Sequence, residues 1–508
     1  MVTRRKLLAM AAAGRAAAYV RQRGGGAASM PHILLLMTDQ HRADCIGADG
    51  NSVIRTPHLD RIAREGVRFE HAYSSTPTCT PARAALLTGL SPWNHGMLGY
   101  GRIAPRYAFE KPRAMREAGY YAIAVGKQHY APMRNGHGYE RMVLDEHCEE
   151  GNGPQAVVHP DAERADYEAW FWSEAPALDP HATGIWWNDY RARAFALPER
   201  LHPTRWTGDT AVNFLNGYQG PRPFFLKVSF IRPHSPYDPP ERFMKLYQDA
   251  ALPDARVAPW AERYAARNSS GTDIWRGRLS TDEIRRARQG YYGSVSFVDE
   301  QIGRILEALE KRGWMDETLI LFTSDHGDML GDHNLWRKSY AYEPSARIPM
   351  LLRWPAAGRG KLAAQPVELR DVLPTLLDVA GKPAPRPLDG RSLLAAARGA
   401  EWRPFLDLEH DVCYSPENHW NALTDGRWKY IFHAQDGREQ LFHLERDPHE
   451  MSDLAGDAAH AGELRQWRQR LVEHLAVRGE SWVAGGKLLP RPKGQPYSPN
   501  YPREDKSG

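Results

Sequence analysis

The chemistry this chain can do is concentrated in a few places, and the most informative is Cys79-Thr80-Pro81-Ala82-Arg83. Proline suits the first turn of a helix, so Pro81 predicts a helix over residues 82–88. Residue 79 then stands at the positive end of that helix, where free N–H groups favour an anion. Arg83 lies one turn in, placed to fix residue 79 and balance its charge. A free cysteine is usually a buried, inert thiol, and Cys45, Cys148 and Cys413 are read that way. Four further polar groups each follow a short apolar run. Asp39 and Gln40 come after residues 32–37, Lys127 and His129 after 121–125, His234 after 224–230, and Asp325 and His326 after 318–323. Lysines offer point charges to an anion, and histidines exchange protons near neutral pH. One such group could arise by chance; four on one edge would make a site.

The elements that must position these residues are legible around them. The four runs, with residues 349–352, read as buried strands. Thr56 predicts a helix cap, with Pro57 in the first turn and Gly66 as the stop. A helix is expected over residues 291–312, with Val295, Val298, Ile302, Ile305, Leu306 and Leu309 on one apolar face. Alternating strands and helices predict a mostly parallel sheet covered on both faces. Ligand sites in such sheets lie beyond the carboxyl ends of the strands. After about residue 400 the pattern changes. Residues 428–433 and 440–444 alternate more and are joined by Asp425-Gly426 and Asp436-Gly437 turns. A small antiparallel sheet is expected there, followed by a helix over 459–477. The expected fold class is α/β, with a large sheet between helices and a smaller C-terminal antiparallel sheet plus helix.

The 508 residues are 42% hydrophobic and 25% charged, which excludes collagen-like and wholly disordered chains. No apolar run approaches the roughly 18 residues of a membrane-spanning helix. The four cysteines contain no C-x-x-C pair, so neither a disulfide scaffold nor a zinc ribbon is expected. Residues 1–29 carry six basic residues and no acidic one, although the whole chain is only +4. Setting those six aside leaves 60 basic against 62 acidic residues, so neither nucleic acid nor membrane is expected as a partner. Thr3-Arg4-Arg5-Lys6-Leu7-Leu8 resembles the start of a twin-arginine export signal, with a short apolar stretch that Arg15 interrupts. A working leader implies a periplasmic or secreted protein; an inert extension, or a start at Met30, implies a cytoplasmic one. Residues 486–508, rich in Pro, Lys, Ser and Asn, read as an extended or loosely ordered tail. The expected division is a leader at 1–29, a catalytic domain at 30–400, a C-terminal subdomain at 401–485 and the tail.

Cys79-Thr80-Pro81-Ala82-Arg83 fits C-x-P-x-R, and its surroundings follow in a recognisable order. Asp39-Gln40 precedes it, and Leu86-Leu87-Thr88-Gly89, Gly126-Lys127-Gln128-His129, Pro233-His234-Ser235-Pro236, Ser324-Asp325-His326-Gly327-Asp328 and Lys338 come after. Over about residues 31–480 the chain resembles the type I sulfatases of the alkaline phosphatase superfamily. The resemblance implies that Cys79 is oxidised to formylglycine by a formylglycine-generating enzyme. It also implies a divalent metal held by Asp39, Gln40, Asp325, His326 and an oxygen of residue 79. Ca²⁺ is favoured, with Mg²⁺ or Mn²⁺ as alternatives. Gln40 departs from the Asp-Asp pair of many members. His326 stands where others have Asn, and imidazole is an unusual ligand for a hard cation. Asp44, Asp328 and Asp332 are left outside the ligand set.

The resemblance further implies that Arg83, Lys127, His129, His234 and Lys338 complete the catalytic set. Lys127, His234 and Lys338 would contact the sulfate ester. One hydroxyl of hydrated formylglycine would attack sulfur, aided by Asp325. His234 and Lys338 would serve the leaving alkoxide, and His129 would deprotonate the second hydroxyl so that sulfate leaves. The substrate is a sulfated small molecule or saccharide, with O-sulfated carbohydrate favoured. Trp186-Trp187, Trp206, Trp275 and Trp420 offer faces for sugar C–H surfaces. Glu409-His410 and Asn418-His419-Trp420-Asn421 resemble bacterial polysaccharide-degrading sulfatases. Residues 148–203 read as an irregular insertion that contacts substrate. A second reading is a phosphonate monoester or phosphodiester hydrolase, whose relatives share the C-x-P-x-R nucleophile; a third, a non-catalytic saccharide-binding protein, predicts a lost nucleophile or metal set, whereas every position here is filled.

Overall fold

The computed structural model describes residues 30–146, 149–150, 157–158, 164–415 and 418–503. The basic leader and Cys148 lie outside the described residues. Eight strands form the large sheet: β1 (His32–Asp39), β2 (Val67–Phe69), β3 (Tyr121–Gly126), β4 (Arg141–Val143), β5 (Phe224–Pro233), β6 (Thr318–Ser324), β7 (Met350–Arg353) and β8 (Lys361–Ala363). Their order is β8-β2-β7-β6-β1-β5-β3-β4. Every pairing is parallel except those of β7. The sheet is thus the mostly parallel one expected. The central strands are buried on both faces, which is why they read as unbroken apolar runs.

Side chains alternate across β1, so Ile33, Leu35 and Met37 join one core and Leu34 and Leu36 the other. The helices divide accordingly. They are α1 (Pro57–Glu65), α2 (Cys79–Thr88), α3 (Lys111–Glu117), α4 (Asp166–Glu174), α5 (Pro203–Gly217), α6 (Thr281–Lys311) and α7 (Val372–Val379). α2, α3 and α7 cover the Ile33 face, through Leu86, Met115 and Leu376. α1, α5 and α6 cover the other, through Ile62, Leu215 and Ile302. Among the described residues no helix is long and apolar enough to cross a membrane.

Two helix ends differ from the sequence reading. α6 starts ten residues earlier than expected, at a capping box in which Ser280 and Glu283 satisfy each other's backbone N–H. α1 has the expected span but a different cap. The Thr56 hydroxyl accepts from Gly47 N at 2.8 Å and donates to Asp60 at 3.1 Å. The free N–H groups of His58 and Leu59 go instead to Asp299 of α6, at 3.2 and 2.8 Å.

The C-terminal sheet is antiparallel, in the order β9 (Leu406–His410), β10 (Trp420–Thr424), β11 (Trp428–His433), β12 (Glu439–His443). α8 (Ala461–Ala476) covers one face with Trp467, Leu471 and Leu475 against Leu423, Tyr430 and Leu441. The other face, with Leu408, Trp420 and Ile431, packs on Tyr73, Tyr340 and Tyr342. Across this junction the fully buried Lys429 ammonium donates to Ala341 O, Glu343 and Glu450 at 2.8, 2.6 and 2.9 Å. The segment read as a loose tail is pinned. Leu98 N donates to Pro496 O and Ser498 N to Gly96 O, both at 2.8 Å, and Tyr501 donates to Arg102 O at 2.8 Å.

Candidate active site

Four neighbouring strands, β6, β1, β5 and β3, end at one edge of the sheet and deliver the expected polar groups there. β1 ends on Asp39, with Gln40 next; Asp325 and His326 follow β6; Lys127 follows β3; His234 follows β5. Gly126 makes the β3 turn possible. Its φ is +83°, and a Cβ there would lie 2.2 Å from Ser229 O, the atom that accepts Lys127 N at 2.8 Å. Cys79 comes in as the first residue of α2, so the helix starts three residues before the expected Ala82, and residue 79 keeps its place at the positive end.

One donor atom from each of Asp39, Cys79, Asp325 and His326 lies within 4.8 Å of the others, and all four residues are buried. His326 Nε2 is 3.2 Å from Cys79 Sγ, 3.6 Å from Asp39 Oδ1 and 3.7 Å from Asp325 Oδ1. The Nδ1 atom faces Gly327 O at 2.9 Å, a contact only an N–H can make, so the Nε2 lone pair points into the cluster. Burial presses this imidazole towards neutrality, but Asp325 and Cys79 outweigh it and hold its pKa above the ordinary value. A divalent cation would compete with that proton. Burial and the neighbouring Asp39 charge raise the Asp325 carboxyl. Burial would raise Asp39 too, but Lys127 and Arg83 hold it well below the usual carboxylate range. The donor set fits a divalent cation: two carboxylates, one oriented imidazole, and residue 79.

Lys338 reaches three members of the site. Its ammonium is 2.7 Å from His234 Nε2, 3.1 Å from Gln40 Oε1 and 3.3 Å from Cys79 Sγ. His234 Nδ1 donates to Ser235 O at 2.8 Å, so Nε2 accepts from the ammonium. Burial and then Lys338 hold this imidazole well below its ordinary value, hence neutral. Lys127 pairs with Asp39 Oδ2 at 2.7 Å. Burial and Asp39 would raise the Cys79 thiol; Lys338, Lys127 and His326 outweigh them and hold it well below the ordinary value.

Arg83 does a different job from the one expected. It does not bond residue 79 but ties the carboxylates together. Nε donates to Asp325 Oδ2 at 2.9 Å and Nη2 to Asp39 Oδ2 at 3.2 Å, while Nη1 reaches Lys127 O at 2.9 Å and Ser229 Oγ at 3.3 Å. Asp39 therefore keeps Oδ1 for the cluster, while Asp325 Oδ1, which also faces it, accepts from Gln40 N at 3.2 Å and His326 N at 3.1 Å. His129 is the site candidate that makes no hydrogen bond to this set. Its backbone N donates to Glu146 at 2.7 Å, and its buried Nδ1 has no partner among the described residues.

Asp328 and Arg42 support the site, although the sequence reading assigned them no role in it. Asp328 Oδ2 accepts from Gln40 Nε2 at 2.6 Å and from Tyr237 at 2.5 Å, and Oδ1 accepts from Leu330 N and Arg337 N, both at 2.9 Å. Its place in Ser324-Asp325-His326-Gly327-Asp328 was the available signal. An amide cannot accept all four bonds. Asp328→Asn is therefore expected to free Gln40 or the loop, and to weaken metal binding about 10–100-fold. Chelator competition measures that; an unchanged affinity would show that Gln40 is no ligand.

Arg42 holds the same loop through Asp328 O and Met329 O, both at 3.2 Å, and is itself held by Asp44 at 2.8 Å and Asp332 at 2.9 Å. Asp332 also pairs with Arg288 at 2.7 Å. Burial would raise Asp332, but Arg288 and Arg42 hold it down to about 2. A depressed carboxyl adds stability above its unfolded pKa near 4 and loses it as pH falls to the folded value. Asp332→Asn should cost about 2 kcal/mol at pH 7, with the deficit closing between about pH 4 and pH 2. Urea midpoints across that range decide it; a deficit that persists at the acid end would assign the effect to packing. Gln40, His129, Arg337 and Ser339 all adopt left-handed backbone, with φ of 67°, 61°, 67° and 80°. Such residues concentrate where surrounding structure enforces a geometry.

The residues expected to meet sugar have other partners. Within the insertion, which includes the helix α4, the Trp187 ring stacks on His234 at 4.0 Å and faces the Lys127 ammonium at 4.6 Å. Trp206 is buried against Tyr167 and Phe171. Glu409 pairs with Arg478 at 2.6 and 2.9 Å. His410 Nε2 and Ser339 Oγ meet Thr78 Oγ1 at 2.7 and 2.8 Å, and the Trp420 indole donates to Ser339 O at 3.0 Å. The C-terminal sheet thus clamps the residues beside Cys79 and Lys338.

A family model described as Sulfatase matches residues 31–382, and one described as N-sulphoglucosamine sulphohydrolase, C-terminal, matches residues 331–476. The chain is 37% identical over 480 residues to an arylsulfatase of Clostridium perfringens, covering 92% of this chain and 98% of that protein. It is 31% identical over 441 residues to a choline-sulfatase of Rhizobium meliloti, covering 84% and 82%. Among solved structures, a phosphonate monoester hydrolase of Agrobacterium radiobacter superposes with a TM-score of 0.73 at 26% identity, covering 91% of this chain and 99% of that one.

Proposed function

The chain belongs to the sulfatase family of the alkaline phosphatase superfamily and is a sulfuric ester hydrolase, and from that premise we propose that it removes sulfate from O-sulfated carbohydrate. In this reading Cys79 is converted to formylglycine by a formylglycine-generating enzyme, and Asp39, Gln40, Asp325, His326 and residue 79 hold one divalent cation. Ca²⁺ is the cation proposed, with Mg²⁺ and Mn²⁺ as the other arms of a metal-reconstitution test. The observation that carries the reading is the convergence of Cys79 with two carboxylates, an oriented imidazole and two ammonium groups in one buried cluster.

Bound in place, the cation and the hydrated aldehyde would supply positive charge for the sulfate oxygens and a hydroxyl nucleophile for sulfur. The chain's own groups do the rest. Lys127 and Lys338 hold anionic oxygens as point charges. Asp325, aligned by Arg83 at 2.9 Å, is the candidate to accept the nucleophile's proton. Lys338 and neutral His234, 2.7 Å apart, act together on the leaving oxygen, with Lys338 donating. His129, with its unpartnered Nδ1, is the candidate for the later proton transfer. Arg83 keeps Asp39 and Asp325 aligned throughout.

Two likenesses support the carbohydrate half: the C-terminal match to an N-sulphoglucosamine sulphohydrolase model and, for the O-sulfate, 25% identity over 513 residues to an N-acetylglucosamine-6-O-sulfatase of Bacteroides thetaiotaomicron. The tryptophans do not add to it, since Trp187, Trp206 and Trp420 have packing partners. The likeness to a phosphonate monoester hydrolase supports a second reading, hydrolysis of phosphonate monoesters or phosphodiesters. The experiment is free sulfate measured from a panel of sulfated saccharides, with phenyl sulfate and phenyl phosphonate esters alongside. The protein is co-expressed with a formylglycine-generating enzyme. Release from one saccharide linkage supports the proposal. Phosphonate turnover with no sulfate release from any member transfers the assignment to the second reading.

A further inference from the structure

We propose that the chain in which residue 79 is still cysteine is a zinc-binding protein, and that conversion of this residue exchanges a zinc site for a hard-cation site. The zinc half needs only the cysteine; the exchange rests on the function proposed above.

Four side chains of the mixed kind that zinc takes, one thiol, one imidazole and two carboxylates, converge in the cluster. Four of the six ligand–ligand edges lie within about 0.1 Å of the tetrahedral range. Bonds of about 2.0–2.3 Å to zinc give ligand–ligand edges of about 3.3–3.8 Å. Here Sγ lies 3.2 Å from His326 Nε2 and 3.9 Å from Asp39 Oδ1, and Nε2 lies 3.6 and 3.7 Å from the two Oδ1 atoms. The supporting contacts are those a metal site requires. Gly327 O fixes the His326 tautomer at 2.9 Å. Arg83 and Lys127 occupy Asp39 Oδ2 and Arg83 occupies Asp325 Oδ2, which leaves each Oδ1 facing the cluster; backbone N–H groups of Gln40 and His326 orient that of Asp325.

On binding, the Cys79 S–H proton leaves to solvent and sulfur donates to the cation. Two carboxylates and a thiolate then supply three negative charges to the cation and to the surrounding Lys338, Lys127 and Arg83. Thiolate and imidazole select zinc over calcium and magnesium. An oxygen donor at residue 79 removes the soft ligand and reverses that order.

The test uses full-length protein expressed without a maturation enzyme, with Cys79 verified by mass spectrometry and metals stripped by a chelator. Cobalt(II) is titrated in as the probe, then zinc. The expected result is a near-ultraviolet thiolate-to-cobalt band with tetrahedral visible bands, both erased by zinc. Cys79→Ser should lose the thiolate band and bind zinc about 100-fold more weakly. Its circular dichroism should match the wild type. Cobalt binding without a thiolate band, or equal zinc affinity in Cys79→Ser, overturns the proposal. Converted protein should likewise bind zinc about 100-fold more weakly; equal affinity there overturns the exchange. Sulfate release is scored separately. A thiolate–cobalt site in a chain whose converted form hydrolyses nothing would sink the functional reading and leave this one standing.

Discussion

Cys79→Ala is expected to lower sulfate release by at least about 10⁴-fold while leaving the fold in place, because an acting nucleophile cannot be replaced by its surroundings. Alanine is the best helix former, so the first turn of α2 is kept. The clamp on Thr78 by His410 and Ser339 does not involve the lost atom. What is lost is the Sγ position, where Lys338, His326 and Asp39 converge. Ion chromatography of released sulfate, with thermal midpoints of both proteins, checks the pair of claims. Residual activity above about one per cent in a correctly folded variant would move the nucleophile elsewhere.

Lys429→Met is expected to destabilise the protein by about 3–5 kcal/mol, the usual cost of removing one partner from a buried ionic group. Methionine fills a similar volume, so the loss is mainly electrostatic. Without the ammonium, Glu343 and Glu450 remain buried together at the junction of the two sheets. Burial already raises Glu450, and Glu343 adds to that, whereas Lys429 holds Glu343 low against its burial. A carboxyl with a raised folded pKa favours folding when protonated, and that contribution fades as pH rises. The penalty should therefore shrink in mild acid. Glu450→Gln added to Lys429→Met should recover part of it. Urea midpoints at pH 5 and 8 report both effects; equal deficits at the two values would refute the electrostatic account.

Much of this site was legible because its donors follow apolar strands, and a parallel sheet sends strand ends to one edge. Asp39, Lys127, His234 and Asp325 needed nothing more. The partners of Arg83 were not legible. They lie in or just after four strands, and no local pattern says that an arginine one turn into a helix will bridge two carboxylates. The early start of α6 was written in the Ser280-Glu283 pair, but its first ten residues are too polar to show periodicity. Strands of three residues, such as β2, β4 and β8, fall below any alternation signal. The reversed direction of β7 follows from its connection, which its residues do not encode. Anchoring of residues 496–501 depends on contacts with residues 96–102, beyond the reach of composition.

The clamp on the nucleophile also sets an order in time. Cys79 is 2% exposed in the finished fold. The parts that seal it come late: Lys338 is 259 residues downstream, and His410 bonds Thr78 across 332 residues. At the usual pace of synthesis, about 5–20 residues per second, Lys338 emerges roughly 10–50 s after Cys79. In the function proposed above, an enzyme that converts residue 79 would reach it before these later parts close over it. Afterwards the C-terminal sheet shuts the segment in, and a nascent chain missed by then carries its original side chain for the life of the fold.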